Sequence, residues 1–163
     1  MQKKNNTKSG CLSLVFQPFN RYFLIKFFMT KQYLTELTYE IIGAAMEVHK
    51  VLGPGLLESI YHKCLKHEFE IRNLYFHSEF IVPVNYKGLE VDTALHCDFL
   101  IEDAIVLEIK AVTEVAPVHI AQLLTYMKLL EKPKGIMINF NCVNIFKEGQ
   151  KTYVNEFYRE LTE

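Results

Sequence analysis

The sequence is short of cysteine and of long apolar segments, and each shortage excludes a class of protein. Its four cysteines stand far apart, at positions 11, 64, 97 and 142, and form no C-x-x-C pair. A secreted disulfide framework would be denser, so we expect reduced thiols and a cytoplasmic location. No apolar stretch reaches the roughly 18 to 20 residues that a membrane-spanning helix needs, so we expect no membrane partner.

Acidic residues are missing from the first 35 positions, which hold six basic side chains. The other residues therefore carry 12 basic and 19 acidic side chains, a net charge of −7. A body with this charge does not bind nucleic acid through its overall field. Any contact with phosphate must come from a local basic cluster or from a metal ion.

Residues 1–30 differ from the rest of the 163-residue chain because they are basic, aromatic and irregular. They have neither the long apolar core nor the clear cleavage site of a signal peptide. We predict that residues 1–30 are a disordered or mis-assigned N-terminal extension, and that residues 35–163 form one domain. A peripheral membrane-binding tail is the alternative for the extension, because basic and aromatic residues mix there.

Apolar periodicity predicts the helices and strands of this domain. Helical spacing predicts one helix from Thr38 to a stop at Gly53-Pro54 and a second from Leu57 to about Asn73. The period then changes to two, and the predicted strands span residues 80–86, 89–101, 105–112, 135–140 and 143–146. Pro117 opens a third helix between the third and fourth of these strands. This order predicts an α+β or mixed α/β domain with one sheet, in which the apolar strand 105–112 is central.

The strand 105–112 carries two charged residues between apolar neighbours. Glu108 and Lys110 are two positions apart, so they point to one face of the sheet while Ile109 points to the other. Charged groups inside a central strand are costly unless they are paired or bind a metal. The plainest interpretation is a structural ion pair between Glu108 and Lys110, and the tripeptide alone favours it.

An aspartate on the preceding strand changes that balance. If the two strands form a hairpin centred on Asp103, Asp98 faces Glu108 and both carboxylates project together. This register needs a three-residue loop, because a two-residue turn would pair Asp98 with position 107 and send Glu108 to the opposite face. Two carboxylates so close repel each other, and a divalent cation would relieve the repulsion. Lys110 would then position or deprotonate a water, or stabilise charge that develops on a phosphate.

These residues resemble a known signature. Asp98…Glu108-Ile109-Lys110 is similar to that of the PD-(D/E)xK nuclease superfamily, and Gly53-Pro-Gly55-Leu-Leu-Glu58-Ser-Ile-Tyr61 resembles the motif of the small bacterial GxxExxY proteins within it. Further matches follow in the right order, at residues 41–45, 47–49, 83–88, 117–126 and 135–141. The resemblance covers about residues 35 to 150. It implies a restriction-endonuclease-like core, α-β-β-β-α-β, with one central mixed sheet flanked by helices.

The resemblance implies a metal site and a catalytic group. Asp98, Glu108, the Ile109 carbonyl and Glu58 would bind Mg²⁺ or Mn²⁺, and Lys110 would be the catalytic lysine. From its spacing alone, Glu58 is equally well explained as an exposed acid on a helix. The signature supplies the reason to count its carboxylate among the ligands.

Four more residues are implied to lie beside the metal. Gln122 and Tyr126 match the Q-x-x-x-Y pair that borders the active site of RecB-like nucleases, and His119 lies on the same helical face. Gln122 would orient Lys110 or contact DNA, and Tyr126 and His119 would contact substrate. The alternative is a helix face that is half buried against the sheet. Relatives carry an arginine two residues before the aspartate, where this chain has His96, which can contact substrate without a permanent charge.

A zinc site is the alternative for a second group of residues, His62, Cys64, His67, His96 and Cys97. Their spacings match no compact zinc module, and His96 and Cys97 would point to opposite faces of one strand. We therefore interpret the two helical histidines as surface residues and Cys64 as a core residue.

The sequence thus predicts a Mg²⁺- or Mn²⁺-dependent nuclease that cuts DNA in preference to RNA. A catalytically weak or inactive module of the same fold, which binds nucleic acid or a protein partner, is favoured by the acidic body and the missing arginine. A small-molecule hydrolase with the same metal site is a third interpretation. Because the sequence contains no separate DNA-binding domain, a homodimer or a partner protein would supply the grip on the substrate.

Overall fold

A computed structural model describes residues 29–163, and the structural statements below concern these residues. The predicted extension, residues 1–30, lies outside the described part except for Met29 and Thr30. None of the helices between residues 29 and 163 is long and apolar enough to cross a membrane.

The described part contains four α-helices: α1, Lys31–Leu52; α2, Glu58–Ile71; α3, Pro117–Leu129; and α4, Glu156–Arg159. α1 begins before the predicted start at Thr38 because Thr30 caps it, its Oγ1 accepting the Tyr33 N–H at 3.0 Å. Leu34 and Leu37 extend the buried stripe of α1 toward this earlier start. The helix ends at the predicted stop.

Seven strands form two sheets between residues 29 and 163: β1, Phe76–Ile81; β2, Val84–Tyr86; β3, Leu89–Val91; β4, His96–Ile101; β5, Ile105–Lys110; β6, Lys134–Asn139; and β7, Gln150–Val154. The main sheet has the order β1-β4-β5-β6-β7, and β2 pairs with β3 in a separate hairpin. β5 and β6 are parallel and joined by α3, whereas the other neighbours are antiparallel. The central position of the apolar strand is confirmed, and so is an α+β fold with a mixed sheet flanked by helices, consistent with a restriction-endonuclease-like fold.

The structure corrects three of the predicted strands. The predicted strand 80–86 is divided into β1 and β2, and the predicted strand 89–101 into β3 and β4. Pro83 separates β1 from β2, because a proline has no N–H to continue a ladder. The predicted strand 143–146 is wrong: these residues lead into a π-helical turn, Ile145–Gly149, and β7 follows that turn.

The main sheet separates two hydrophobic cores. Residues of α1 and α2 pack on one face, where they meet Phe99, Leu107 and Ile109. α3 covers the other face, where its buried residues meet Leu100 and Val106. Consecutive residues of β4 and β5 therefore alternate between two apolar cores, as expected of a sheet covered on both sides. Charged side chains interrupt this pattern at Asp98, Glu108 and Lys110, and Glu108 is itself buried.

Candidate active site

The hairpin of β4 and β5 has the register that the two carboxylates need. Its pairs run from Ile101 opposite Ile105 to Phe99 opposite Leu107, which places Asp98 opposite Glu108. The loop holds three residues, Glu102, Asp103 and Ala104, of which the first two have φ values of 49° and 53°. The predicted register is confirmed, and the two-residue turn that would have separated the carboxylates does not occur here.

Main-chain amides hold both carboxylates in place. Glu108 Oε1 accepts the Asp98 N–H at 3.2 Å, and Asp98 Oδ2 accepts the Ile109 N–H at 2.7 Å. Each side chain thus bonds to the backbone of the opposite strand, where the ladder pairs end. Charge-assisted bonds of this kind are stronger than neutral ones, so the two carboxylates are fixed before any ligand arrives.

The Lys110 ammonium lies among the four groups predicted to bind the metal. Its Nζ is 2.7 Å from the Ile109 carbonyl, 3.4 Å from Glu108 Oε2, 3.8 Å from Asp98 Oδ2 and 3.9 Å from Glu58 Oε1. The structure therefore brings Glu58, Asp98, Glu108, Ile109 and Lys110 together. Four of these residues lie on the adjacent strands β4 and β5, whereas Glu58 lies far from them in the sequence, at the start of α2.

The donor set suits a hard divalent ion by its chemistry. It consists of carboxylate and carbonyl oxygens, which Mg²⁺ and Mn²⁺ prefer. The oxygens surround the Lys110 ammonium at 2.7 to 3.9 Å, and residues 29–163 contain no group of three His, Cys, Asp or Glu side chains already arranged around a metal position. In the structure, the cation that these oxygens contact is the Lys110 ammonium.

The pKa of Glu108 reports how crowded this negative charge is. Burial first, and then the nearby Asp98, raise the pKa of its carboxyl from 4.5 to about 7 in spite of the opposing effect of Lys110. Burial, with the same two carboxylates, also raises the pKa of the Cys97 thiol to about 12. Cys97 is therefore a protonated core residue, and one lysine does not fully compensate the carboxylates.

Tyr61 explains how Glu58 reaches this cluster. Its hydroxyl donates to the Gly53 carbonyl at 2.7 Å and accepts the Leu56 N–H at 3.1 Å, while its buried ring stacks on Phe140. Tyr61 therefore ties down the loop that leads into α2, and Glu58 is the first residue of that helix. From the sequence, Tyr61 is identified only as part of a motif. Its position about one helical turn after Glu58 is the feature that could have indicated its role in holding the loop.

The hydrogen bonds of Gln122, Tyr126 and His119 are formed within α3 and at its start. The Gln122 side chain donates to the Tyr126 hydroxyl at 2.7 Å, and Tyr126 is 3% exposed in the core under α3. His119 Nδ1 accepts the Ala116 N–H at the start of α3, and His96 is exposed at the start of β4. Within residues 29–163, none of the four hydrogen-bonds to Asp98, Glu108 or Lys110.

His62 is a residue that sequence analysis placed wrongly. It is half-buried, and its ring stacks on Phe99 with centroids 4.3 Å apart. Its Nε2 is 3.4 Å from both the Asp98 carbonyl and Ser78 Oγ. His67 is exposed, so the prediction of a surface residue is confirmed for it. Cys64 packs against the core between α1, α2 and the sheet, as predicted.

β1 and β4 are both irregular beside the carboxylates. Their pairing skips Glu79 and Asp98, and Glu79 has a φ of 51°. Phe76 packs on the α2 side of the sheet but Phe80 on the α3 side, although residues an even number apart share a face in a regular strand. A cleft of about 420 Å³ lies beside this irregularity, between α2 and β1, and both Glu79 and Asp98 line it.

The site combines a hairpin that carries two carboxylates, a lysine two residues after the second of them, and a glutamate at the start of a helix that packs on the sheet. Residues 35–152 match the family model of the PD-(D/E)XK nuclease superfamily, and the chain belongs to that superfamily. Comparisons with curated proteins and with solved structures find no significant match.

Proposed function

We propose that this chain is a metal-dependent nuclease of the GxxExxY type that hydrolyses phosphodiester bonds in DNA, and in RNA as a less favoured substrate. We further propose that residues 35–163 are its single nuclease domain. The observation that carries the proposal is the convergence of Glu58, Asp98, Glu108 and the Ile109 carbonyl on Lys110 Nζ. The superfamily's nuclease-type function agrees with this chemistry.

The proposed metal ligands are the Asp98 and Glu108 carboxylates, the Ile109 carbonyl and the Glu58 carboxylate. When bound, Mg²⁺ or Mn²⁺ supplies Lewis-acid polarisation of the phosphodiester and offsets its negative charge. Main-chain N–H groups already hold Asp98 and Glu108, so little reorganisation is needed at the time of reaction.

Lys110 is the proposed catalytic residue. Its ammonium group has three N–H donors and is bonded to the Ile109 carbonyl and to Glu108. In the nuclease it would donate to a phosphate oxygen or to the attacking water and stabilise the charge that grows in the transition state. An exposed face is available for this step, because the Lys110 side chain is 13% exposed.

A catalytically weak or inactive binding module is the second candidate function. Two observations favour it: Gln122 and Tyr126 satisfy each other, and His96 occupies the place of an arginine. Such a module would bind nucleic acid or a protein partner without cleaving. In either function, a homodimer or a partner protein is proposed to add contacts to the substrate.

The decisive experiment compares carboxylate-to-amide variants of matched chemistry. Asp98→Asn and Glu108→Gln should lose Mg²⁺ and Mn²⁺ binding in calorimetry and reduce cleavage more than about a hundredfold. Asp103→Asn, which changes a carboxylate in the hairpin loop that pairs with Lys132 at 2.9 Å, should retain both. Wild-type protein that cleaves neither single- nor double-stranded DNA nor RNA, or site variants that cleave at the wild-type rate, would contradict the proposal.

A further inference from the structure

The cleft between α2 and β1 opens beside the proposed metal ligands. Glu58 and Asp98 are among the residues that line it, so the cleft borders the carboxylate cluster. Its volume of about 420 Å³ is in the range of small-ligand sites. A space of this size holds a few nucleotides of a strand.

One wall of the cleft is basic. It is formed along α2 by Ser59, Lys63 and Lys66, and both lysines are exposed. Neither lysine forms an ion pair with any residue of the described part, in contrast to Lys31, Lys50 and Lys132. These two lysines carry unpaired positive charges side by side, although residues 36–163 have a net charge of −7. They form a local basic cluster of the kind that contacts phosphate.

The basic wall runs straight away from the catalytic cluster. The cleft-lining positions 58, 59, 62, 63 and 66 recur at helical spacing, so they form one stripe along α2. Eight residues of α-helix rise about 12 Å. A B-form strand advances about 3.4 Å per phosphate, so the stripe has the length of a few consecutive nucleotides.

The opposite wall has a different character. It is formed by Ser78 and Glu79 of β1, which offer a hydroxyl and a carboxylate. The floor is His62, fixed by its stack on Phe99 and by its contacts with Ser78 Oγ and the Asp98 carbonyl. A carboxylate repels phosphate but accepts hydrogen bonds from the exocyclic amines of bases. One wall thus suits a phosphate backbone and the other suits base edges.

We propose that this cleft binds a single strand of nucleic acid, with its phosphates on Lys63 and Lys66 and its bases toward Ser78 and Glu79. The inference rests on the proposed function and names the form of its substrate. A single strand presents phosphates on one side and bases on the other, which matches the two walls. A duplex would bring a second phosphate backbone toward Glu79.

The test measures binding by the full-length chain in EDTA, with a labelled single-stranded oligonucleotide and a blunt duplex of the same sequence, by fluorescence anisotropy. The double variant Lys63→Gln/Lys66→Gln should bind the single strand about tenfold more weakly, and the slope of log K against log salt should fall by about 1.4, since each single-strand phosphate contact contributes about 0.7. The control Lys87→Gln/Lys128→Gln removes the same charge outside the cleft and should stay within about twofold.

The wild type should also prefer the single strand to the duplex. The inference is overturned if both double variants weaken binding equally, if the duplex binds as tightly as the single strand, or if the wild type binds neither. Cleavage in Mg²⁺ is scored separately. A wild type that binds through Lys63 and Lys66 but cleaves nothing upholds the strand site and contradicts the nuclease. If the wild type cleaves but the cleft variant and the control variant bind equally well, the strand site is contradicted and the nuclease function is not.

Discussion

α2 and α3 cover opposite faces of the same sheet, yet they relate differently to the carboxylates at its rim. α2 points its first residue, Glu58, at Lys110. α3 carries Gln122 and Tyr126, which bond to each other, and Tyr126 lies in the core. The difference is that α2 brings the side chain of its first residue to Lys110, whereas two polar residues in the body of α3 form a hydrogen bond with each other.

The largest effect on the difference between α2 and α3 is expected from replacing Lys110, which contacts both Glu58 of α2 and the carboxylates of the strands. Lys110→Met should reduce cleavage more than about a hundredfold while divalent-ion binding is retained or tightened, because the carboxylates lose their internal cation. Without metal the variant should melt at a lower temperature than the wild type, since Glu108 is buried with no positive partner.

Added Mg²⁺ should restore much of that lost melting temperature. Gln122→Ala, on α3, is the control and should change neither metal binding nor the melting temperature by a comparable amount. A Lys110→Met protein that remains destabilised at saturating Mg²⁺ would identify Glu108 and Lys110 as a purely structural ion pair.

The pH dependence of stability sharpens the contrast, because Glu108, whose pKa is raised, belongs to the cluster that Glu58 of α2 joins. The pKa of Glu108 is raised from 4.5 to about 7 in the fold, so the folded chain binds more protons than the unfolded chain between these values. Its contribution to the free energy of unfolding therefore falls as pH rises from 4.5 to 7, by on the order of 3 kcal/mol.

Urea unfolding in EDTA at pH 5 and pH 8 measures this effect. Glu108→Gln should be more stable than the wild type at pH 8 and should show little advantage at pH 5. Asp103→Asn should keep the wild-type pH dependence. An advantage of Glu108→Gln that is the same at both pH values would contradict the assignment of the raised pKa.

The smallest expected effect comes from a matched pair of tyrosines. Tyr61→Phe removes the hydroxyl that joins Gly53 to Leu56 and should lower both stability, by about 1 kcal/mol, and kcat, because Glu58 is held less firmly. Tyr126→Phe removes only the bond to Gln122 and should lower stability without lowering kcat. Equal kcat values for the two variants, at saturating Mg²⁺, would remove the functional distinction between α2 and α3.

The main features of the candidate site could be predicted because they depend on local spacing. The two-residue interval between Glu108 and Lys110 fixed their common side, and the ten-residue interval from Asp98 to Glu108 is compatible with a symmetric hairpin. The contact between Glu58 and Lys110 could be predicted only through the family resemblance, because four other strands lie between α2 and β5 along the chain.

Other parts of the fold could not be predicted from periodicity. The face reversal at Glu79 interrupts the alternation, so the predicted strand began only at residue 80; the alternation then continues across Pro83, so β1 and β2 were merged. β7 was missed because most of its residues are exposed and it has no apolar run. Tyr126 shows a further limit: the motif quoted for it does not reveal that its ring is buried, which the packing under α3 does.

The irregularity at Glu79 has a consequence for how the chain behaves at high concentration. β1 is an edge strand of the main sheet, and such edges present unpaired backbone groups that recruit strands from other molecules. A residue with a φ of 51° in the middle of β1 bends this edge, and its carboxylate adds charge beside it. A second molecule therefore meets no straight row of donors and acceptors on β1, so we expect this edge of the sheet to resist pairing with another strand.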